Sequence, residues 1–275
     1  MTISNGYITR TNLLNWLASA TATSSADDLV IDDIIEQTSR IIDDITARRF
    51  YPFRQTRKYD LPEDNELDLV DDLLEVYTLT NGDASVIASS DYNLYSVNDP
   101  PYWSIRLKDI STVSWQTTAG GSSEQVVTLD GLWSYRPQYT AQGWTQIGTL
   151  GAAMADTTTL TVTLVAGHTA STGQIWKVDT EIFQGSVSTN TITAIQRGDN
   201  GTTAATHLNG VAVYAWNVYK PIQSAAYQIA VGVYKRRFGE GVTGVARVTG
   251  AGVVITPQDV PQLAMKTLIS LSRLS

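Results

Sequence analysis

The side chains that most often perform enzyme chemistry are rare in this sequence. Its 275 residues include two histidines, His168 and His207, and no cysteine, which excludes thiolate nucleophiles, disulfides and cysteine metal sites. Neither histidine has a companion at the spacing of a metal-binding motif. The sequence also lacks a glycine-rich phosphate loop and a Gly-x-Ser-x-Gly nucleophile elbow. We therefore predict a protein that is not an enzyme and that binds no metal ion and no cofactor.

Four pairs of adjacent aspartates could in principle bind divalent cations. Three of the pairs lie in one predicted helix, where the side chains of neighbouring residues point in different directions. We therefore interpret them as part of a solvated helix face. The pairs are Asp27-Asp28, Asp32-Asp33, Asp43-Asp44 and Asp71-Asp72.

Three further motifs have both a functional and a structural interpretation. Arg197-Gly-Asp199 spells a cell-attachment tripeptide, but the Asn-Gly that follows it is typical of a turn. Lys235-Arg-Arg237 could contact DNA phosphate or an acidic partner, although cations in the last turn of a helix need no ligand. Six of the seven tryptophans are spread through predicted strands, where they could form a sugar-binding platform but more often pack in cores and interfaces. They are Trp103, Trp115, Trp133, Trp144, Trp176 and Trp216.

The charge of the chain is acidic and unevenly distributed. Its net charge is −8, and residues 1–75 carry 7 basic and 15 acidic side chains, whereas residues 217–275 carry 7 and 2. Such a chain is a poor candidate for tight binding to duplex DNA, which needs clustered cations. The opposite signs of the two ends predict that they pair, within one subunit or between neighbours. No apolar run has the length of a membrane span and the start has no basic and apolar leader, so we expect a protein made in the cytoplasm, and kept there or packaged into a particle.

The longest predicted element is an amphipathic helix that starts near Ala26 and closes its last turn with Arg48 and Arg49. Its apolar residues recur every three or four positions and form one face. Pro52 is expected to end the helix because it disfavours the helical conformation at Tyr51, and residues 54–59 then alternate like an exposed strand. The apolar positions are Ile31, Ile34, Ile35, Thr38, Ile41, Ile42 and Ile45.

A shorter helix precedes this one, and two helices close the chain. Thr9 or Thr11 is predicted to cap the first helix. Residues 219–238 and a last helix, capped by Thr256 and with Pro257 at its first position, form the C-terminal pair, with a glycine-rich segment between them. Between the two pairs of helices, short alternating segments predict a small β region and then a separate, threonine-rich all-β module.

The junctions of these helices resemble those of a known protein family. Ala47-Arg-Arg-Phe-Tyr-Pro52 and the strand after it, and Arg236-Arg-Phe-Gly-Glu-Gly241 with Thr256-Pro257, are similar to the head–tail adaptor (connector, or head-completion) proteins of long-tailed double-stranded DNA bacteriophages. The resemblance covers residues 43–61, 221–239 and 256–272. Residues 197–214 separately resemble a small β module that recurs in phage structural proteins.

The resemblance and the predicted elements together imply an α+β fold. A helical adaptor body of two N-terminal and two C-terminal helices would carry a small β region and an inserted all-β module. We place the boundaries at residues 1–147 (N-terminal helices and β region), 148–215 (inserted module) and 216–275 (C-terminal helices), with the first and last parts packing as one body.

The same resemblance implies a structural protein of the virion neck, between capsid and tail. Its copies would form a ring of twelve subunits that connects the portal protein to a tail-side neck or tail-terminator protein and lets genomic DNA pass, with no membrane involved. The residues expected to contact the portal are Arg236, Arg237, Leu263, Met265, Leu268, Leu271 and Arg273.

Two other interpretations belong to different functional classes. The chain could be a carbohydrate- or host-surface-binding virion protein that uses the tryptophan-rich β module. A hydrolase of unrecognised type is disfavoured because the two histidines are isolated and cysteine is absent.

Overall fold

The computed structural model describes residues 3–17, 25–238, 247–248, 254–255 and 260–273. Its helices are α1 (Arg10–Trp16), α2 (Ser25–Thr46), α3 (Tyr139–Gln142), α4 (Lys220–Phe238) and α5 (Gln262–Leu271). Its strands are β1 (Phe53–Tyr59), β2 (Glu66–Thr80), β3 (Tyr92–Tyr95), β4 (Tyr102–Leu107), β5 (Val127–Trp133), β6 (Trp144–Thr149), β7 (Thr161–Thr163), β8 (Ile175–Val178), β9 (Glu181–Ser188), β10 (Thr191–Ala194), β11 (Ala212–Trp216), β12 (Arg247–Val248) and β13 (Val254–Ile255).

The first helices form where the sequence predicts them. Thr9 caps α1, because its hydroxyl oxygen accepts a hydrogen bond from Asn12 N at 3.3 Å. Arg10 of α1 binds Asp28 and Asp32 of α2 at 2.7 Å each. The predicted apolar face of α2 is buried, and its members Ile31, Ile34, Ile35 and Ile42 are at most 1% exposed. The amphipathic helix is thus confirmed.

The end of α2 differs from the prediction. The helix stops at Thr46, so the prediction that Arg48 and Arg49 close its last turn was wrong. Ala47 takes a left-handed φ of 51°, which breaks the helix before Pro52 can act. The Thr46 hydroxyl donates to Ile42 O at 2.8 Å and accepts from Arg48 N at 3.3 Å. Both arginines are thereby placed outside the helix and beside the first sheet.

The first sheet is antiparallel, with the strand order β1-β5-β2-β4-β3. β1 and β5 pair along their whole length, from Phe53 opposite Trp133 to Tyr59 opposite Val127. β2 extends over 15 residues, and register shifts after Asp68 bend it. One face of the sheet buries Leu67, Leu73, Ile105 and Leu129, against which Val113 and Trp115 of the 108–126 connection pack.

The second sheet closes on itself as a small barrel. Its strand order is β6-β11-β8-β9-β10-β7, and a bridge between Leu150 and Leu164 joins the two outermost strands. The chain enters at Trp144 and leaves at Trp216, which are opposite each other in the β6–β11 pair. The interior is filled by apolar side chains that include Val162, Trp176, Val178, Phe183, Ile192 and Val213.

The helices from both ends of the chain pack as one layer beside the sheets. α4 begins next to the end of α2, where Trp216 Nε1 donates to Phe50 O at 2.8 Å. The chain after α5 returns to the same place, because Arg273 N donates to Thr46 O at 2.9 Å. Ile182 and Trp216 of the barrel join the core of this layer, so the layer and the barrel are packed together.

The protein is mostly β, with 31% of its residues in strands and 24% in helices. The predicted α+β fold with a helical adaptor body was therefore wrong. The alternation of polar and apolar residues predicted short strands, but it does not show which strands pair, because partners such as Phe53 and Trp133 are far apart in the sequence. The extent of the sheets was therefore underestimated. The glycine-rich segment and the Thr256-Pro257 cap lie outside the described residues. Within the described part of the chain, no helix has the length and hydropathy needed to cross a membrane.

Candidate functional site

The residues with potentially catalytic side chains form a buried ionic cluster in the barrel. Arg197 binds Glu181 through two contacts, Nε to Oε1 at 2.6 Å and Nη2 to Oε2 at 2.9 Å. His207 Nε2 lies 2.9 Å from Glu181 Oε2, and its Nδ1 lies 2.7 Å from Asp179 Oδ2. The side chains of Glu181, His207 and Arg197 are 0%, 1% and 3% exposed. Asp179 is 58% exposed, whereas the other three side chains are buried and bound to one another, so they hold the barrel together.

The carboxylate of Glu181 is strongly stabilised in its charged form. Burial alone would raise its pKa, but hydrogen bonds from Arg197, the backbone N–H groups of Ala205 and Gly198, and His207 lower the pKa to about 2. The other histidine, His168, is apart from this cluster and contacts Thr189 O at 2.9 Å. In the described ranges, no three His, Asp or Glu side chains are arranged to hold a metal ion.

The Arg197-Gly-Asp199 tripeptide belongs to the same internal network. Asp199 accepts hydrogen bonds from Gln184 Nε2 at 2.6 Å and from Gln196 Nε2 at 2.9 Å. Both charged side chains of the tripeptide are therefore engaged within the barrel. The turn interpretation accounts for this motif without a cell-surface receptor.

The next two residues anchor the barrel to the rest of the protein. Asn200 Nδ2 donates to Asn5 Oδ1 at 2.8 Å and to Pro52 O at 2.9 Å, while Arg54 N donates to Asn200 O at 2.9 Å. Gly201 has a φ of 76°, and a Cβ at this position would lie 1.9 Å from Arg54 O. The backbone here approaches β1 so closely that only glycine fits.

The tryptophans are mainly structural. Trp176, Trp133 and Trp216 are 0%, 3% and 5% exposed, and the ring of Trp144 lies 5.0 Å from that of Trp216. Trp103 on β4 is 54% exposed. The two most buried tryptophans of the barrel are therefore not available as a sugar platform.

A cleft of about 250 Å³ opens between the end of α2 and the first sheet. The end of α2 and the residues after it form one wall. The opposite wall comes from β1, β2 and the end of β5. Its lining combines both signs of charge with two aromatic rings, from Asp43, Asp44, Ala47, Arg48, Arg49, Arg57, Asp71, Asp72, Trp133, Ser134 and Tyr135.

Arginine–aspartate pairs on aromatic rings build this cleft. Arg48 binds Asp72 and Arg57 binds Asp71. The guanidinium of Arg57 lies 3.9 Å from the centre of the Trp133 ring, and that of Arg48 lies 4.3 Å from the centre of the Tyr135 ring. Ion pairs that stack on rings in this way are held in fixed orientations. Arginine, tryptophan and tyrosine are also the residues that dominate binding hot spots, so the arrangement fits a surface for a protein partner.

Arg273, just after α5, binds two acidic residues of the cleft from the other end of the chain. It binds Asp71, and its Nη2 lies 3.0 Å from Asp72 Oδ2. One basic residue of the C-terminal part thus pairs with the acidic N-terminal part inside one subunit. Burial would raise the pKa of Asp71, but Arg273 and Arg57 together lower it.

Removing the Arg273 side chain is expected to loosen α5. Arg273→Ala should lower the free energy of unfolding by about 1–2 kcal/mol, since it removes charge-assisted hydrogen bonds from a partly exposed group. The loss should shrink at about 1 M salt, where exposed charges are screened. Urea unfolding at low and high salt measures both effects, and Lys266→Ala on the exposed side of α5 is the control. A loss that salt does not change would contradict an ionic role.

The pKa of Asp43, in the wall of the cleft, predicts that the free energy of unfolding depends on pH. Burial raises its pKa from 3.8 to about 6, against the opposing effects of Tyr7, Arg40 and Arg49. Between about pH 4 and pH 6, the folded state keeps a proton on Asp43 that the unfolded state has lost. The stabilisation that this proton provides is therefore complete below pH 4 and is lost as the pH rises through 6. Asp43→Asn retains an acceptor for the Tyr7 hydroxyl and should be more stable relative to the native protein at pH 7 than at pH 4, by roughly 2 kcal/mol. A difference independent of pH in denaturant titrations would contradict the raised pKa.

No protein-family model matches this chain, and no curated protein has a significantly similar sequence. The functional assignment therefore depends on the residues themselves.

The residues predicted to contact the portal do not form one surface. Arg236 and Arg237 lie in the last turn of α4, which starts near the cleft and extends away from it. Leu263 is 66% exposed, whereas Leu268 is 0% exposed and belongs to the core of the helical layer. Met265 and Leu271 are half-buried, and Arg273 reaches the cleft.

The sequence prediction missed the main components of the cleft. Arg57 and Trp133 come from different strands, β1 and β5, and Asp71 and Asp72 were interpreted only as solvated acids. The opposite charges of the two chain ends were the one available signal, and they did not specify which residues meet.

Proposed function

We propose that this chain is a structural protein of a bacteriophage neck, a mostly-β head–tail adaptor whose copies form a ring between the portal and the tail. One observation carries the proposal: segments that resemble the adaptor family, although far apart in the sequence, meet at the cleft. Arg273, which directly follows the last of them, contacts Thr46 and Asp71, next to the Ala47–Pro52 junction. The first and last of the resembling segments thus meet beside the cleft, while Arg236 and Arg237 of the middle segment lie in the last turn of α4.

The proposed mechanism is one of shape and surface, with no chemical step. The first sheet, the helices packed beside it and the barrel would together form the wall of the ring. The exposed part of α5 and the basic end of α4 would face the portal, and the barrel would lie on the tail side. An acidic lumen would let DNA pass without sticking, because it gives the phosphates no cation cluster on which to release counterions.

The experiment that tests this function is assembly with the portal protein of the same phage. The purified chain, alone and with portal, is examined by mass measurement and electron microscopy, and closed rings bound coaxially to portal are expected. Arg236→Ala/Arg237→Ala should weaken this complex. Lys58→Ala/Lys108→Ala removes one cation of β1 and one directly after β4, and is the matched control. A chain that stays monomeric in the presence of portal would contradict the proposal.

Glycan binding remains a second candidate because of Trp103. Its ring is 54% exposed, and the ring of Tyr95 lies 6.3 Å away. These two aromatic side chains are on β3 and β4 of the first sheet, outside the barrel. Binding on a glycan array that Trp103→Ala abolishes would support this function over the adaptor.

A further inference from the structure

One face of the barrel differs from the rest of the surface because it carries no charge. Residues 157–176 and 182–196 contain no Asp, Glu, Lys or Arg, although the chain as a whole has 27 acidic and 19 basic residues. These two ranges supply β7 and β10 and all of β9 after Glu181. We call the outer surface of these three neighbouring strands the hydroxyl face.

The hydroxyl face is regular because of the strand register. In one row across the three strands, Thr163 is opposite Thr191 and Thr191 is opposite Ser188. In the next row, Thr161 is opposite Thr193 and Thr193 is opposite Ser186. The residues between them, such as Val162 and Ile192, are 0% exposed and point into the barrel. Six hydroxyl side chains therefore stand in two rows across three strands.

Apolar side chains extend the face at two corners. Val165, just beyond β7, is 49% exposed, and Ile195, just beyond β10, is 43% exposed. By the alternation of each strand they point to the same side as the threonines. Threonine, valine and isoleucine are branched at Cβ and have few rotamers, so little side-chain entropy is lost when a partner covers them. Depletion of charge is also the compositional mark of an interface core.

We propose that the hydroxyl face is the surface through which one copy of this chain packs against the next. This inference rests on the proposed ring. Each copy carries a net charge of −8, so copies that approach through their charged surfaces repel each other, and an uncharged face permits close contact. The contact joins this face to a different surface of the neighbour, as the head-to-tail packing of a closed ring requires. No aromatic ring stands on the face, which disfavours a sugar as its occupant.

The test adds charge to the centre of the face. Thr161→Glu/Thr193→Glu changes two side chains that are exposed in the monomer, so folding should be retained, as a circular dichroism melt verifies. The association constant of the copies, measured by light scattering with and without portal, should fall more than about tenfold, because the added carboxylates must be buried without a partner and face a second acidic copy. Thr112→Glu/Thr117→Glu, at two exposed positions of the 108–126 connection, adds the same charge and should leave the association unchanged.

A second measurement uses the absence of cysteine from the chain. A single cysteine at Thr193 should react with maleimide at least about tenfold more slowly in the assembled state than in the monomer, whereas one at Thr112 should react equally in both. The inference is overturned if the native chain forms rings on portal, the charged double variant assembles equally well, and assembly does not slow the labelling of Thr193→Cys. The proposed function would then still stand. If the native chain does not assemble, with or without portal, both this inference and the proposed function are contradicted. If the charged double variant loses binding to a neutral polysaccharide while the mass of the assembly is unchanged, the face binds a glycan and the inference is overturned.

Discussion

Replacing Glu181 by alanine should cost about 3–5 kcal/mol of the free energy of unfolding, the typical cost of removing one partner from a buried ion pair. The variant leaves the guanidinium of Arg197, whose side chain is 3% exposed, without a counter-charge. It also removes the acceptor of Gly198 N and Ala205 N, at 3.0 Å each. Urea unfolding followed by circular dichroism, with hydrogen exchange of the barrel amides, measures the loss.

Two comparisons isolate the ion pair in this experiment. Asp109→Ala breaks an exposed pair with Arg106, whose atoms are 3.9 Å apart, and should change stability by less than about 0.5 kcal/mol. Glu181→Ala/Arg197→Ala should cost less than the sum of the two single variants, because no charge is then buried alone. Strict additivity would show that the two side chains stabilise the barrel independently.

Trp176→Ala should also lower the free energy of unfolding by about 3–5 kcal/mol. Its ring fills the barrel interior beside Phe183, with 6.0 Å between the ring centres, and its Nε1 donates to Gln174 Oε1 at 3.2 Å. Truncation leaves a cavity that the closed sheet has little freedom to fill. Denaturant unfolding and the loss of near-ultraviolet dichroism measure this effect.

The control for Trp176 is Trp103→Ala, which removes a largely exposed ring and should cost less than about 1 kcal/mol. This contrast also separates stability from recognition. Lost glycan binding in Trp176→Ala would reflect an unfolded barrel, whereas the same loss in Trp103→Ala would identify a binding residue. A stable, fully folded Trp176→Ala protein would show that the interior is not packed around this ring.

The elements that the sequence predicted best are those whose signals are local. The isoleucine repeat of α2, the Thr9 cap and the turn at Asn200-Gly201 each depend on residues within a few positions of one another. The long first sheet and the closure of the barrel depend on contacts such as Leu150 with Leu164, and no local pattern encodes them. The balance between helix and strand was misjudged for this reason.

The cleft shows the same limit at the level of side chains. Composition suggested that the oppositely charged ends pair, and one residue of the basic end, Arg273, binds Asp71 and Asp72. The stacking of Arg57 on Trp133 required knowing that β1 lies beside β5. The ionic cluster of Glu181 was equally hidden, because Arg197 and His207 follow it only after an intervening hairpin and turn.

The position at which the chain enters and leaves the barrel has a consequence for how such a protein can evolve. Trp144 and Trp216 are opposite each other in neighbouring strands, and Asn217 N donates to Gly143 O at 2.9 Å. The covalent connections of the barrel to the rest of the protein are thus two adjacent peptide groups, so a gene segment can be gained, lost or exchanged there without spreading the strands on either side. What a replacement must reproduce is small: an apolar cover where Ile182 and Trp216 now complete the core, and a tight turn in place of Gly201 against β1.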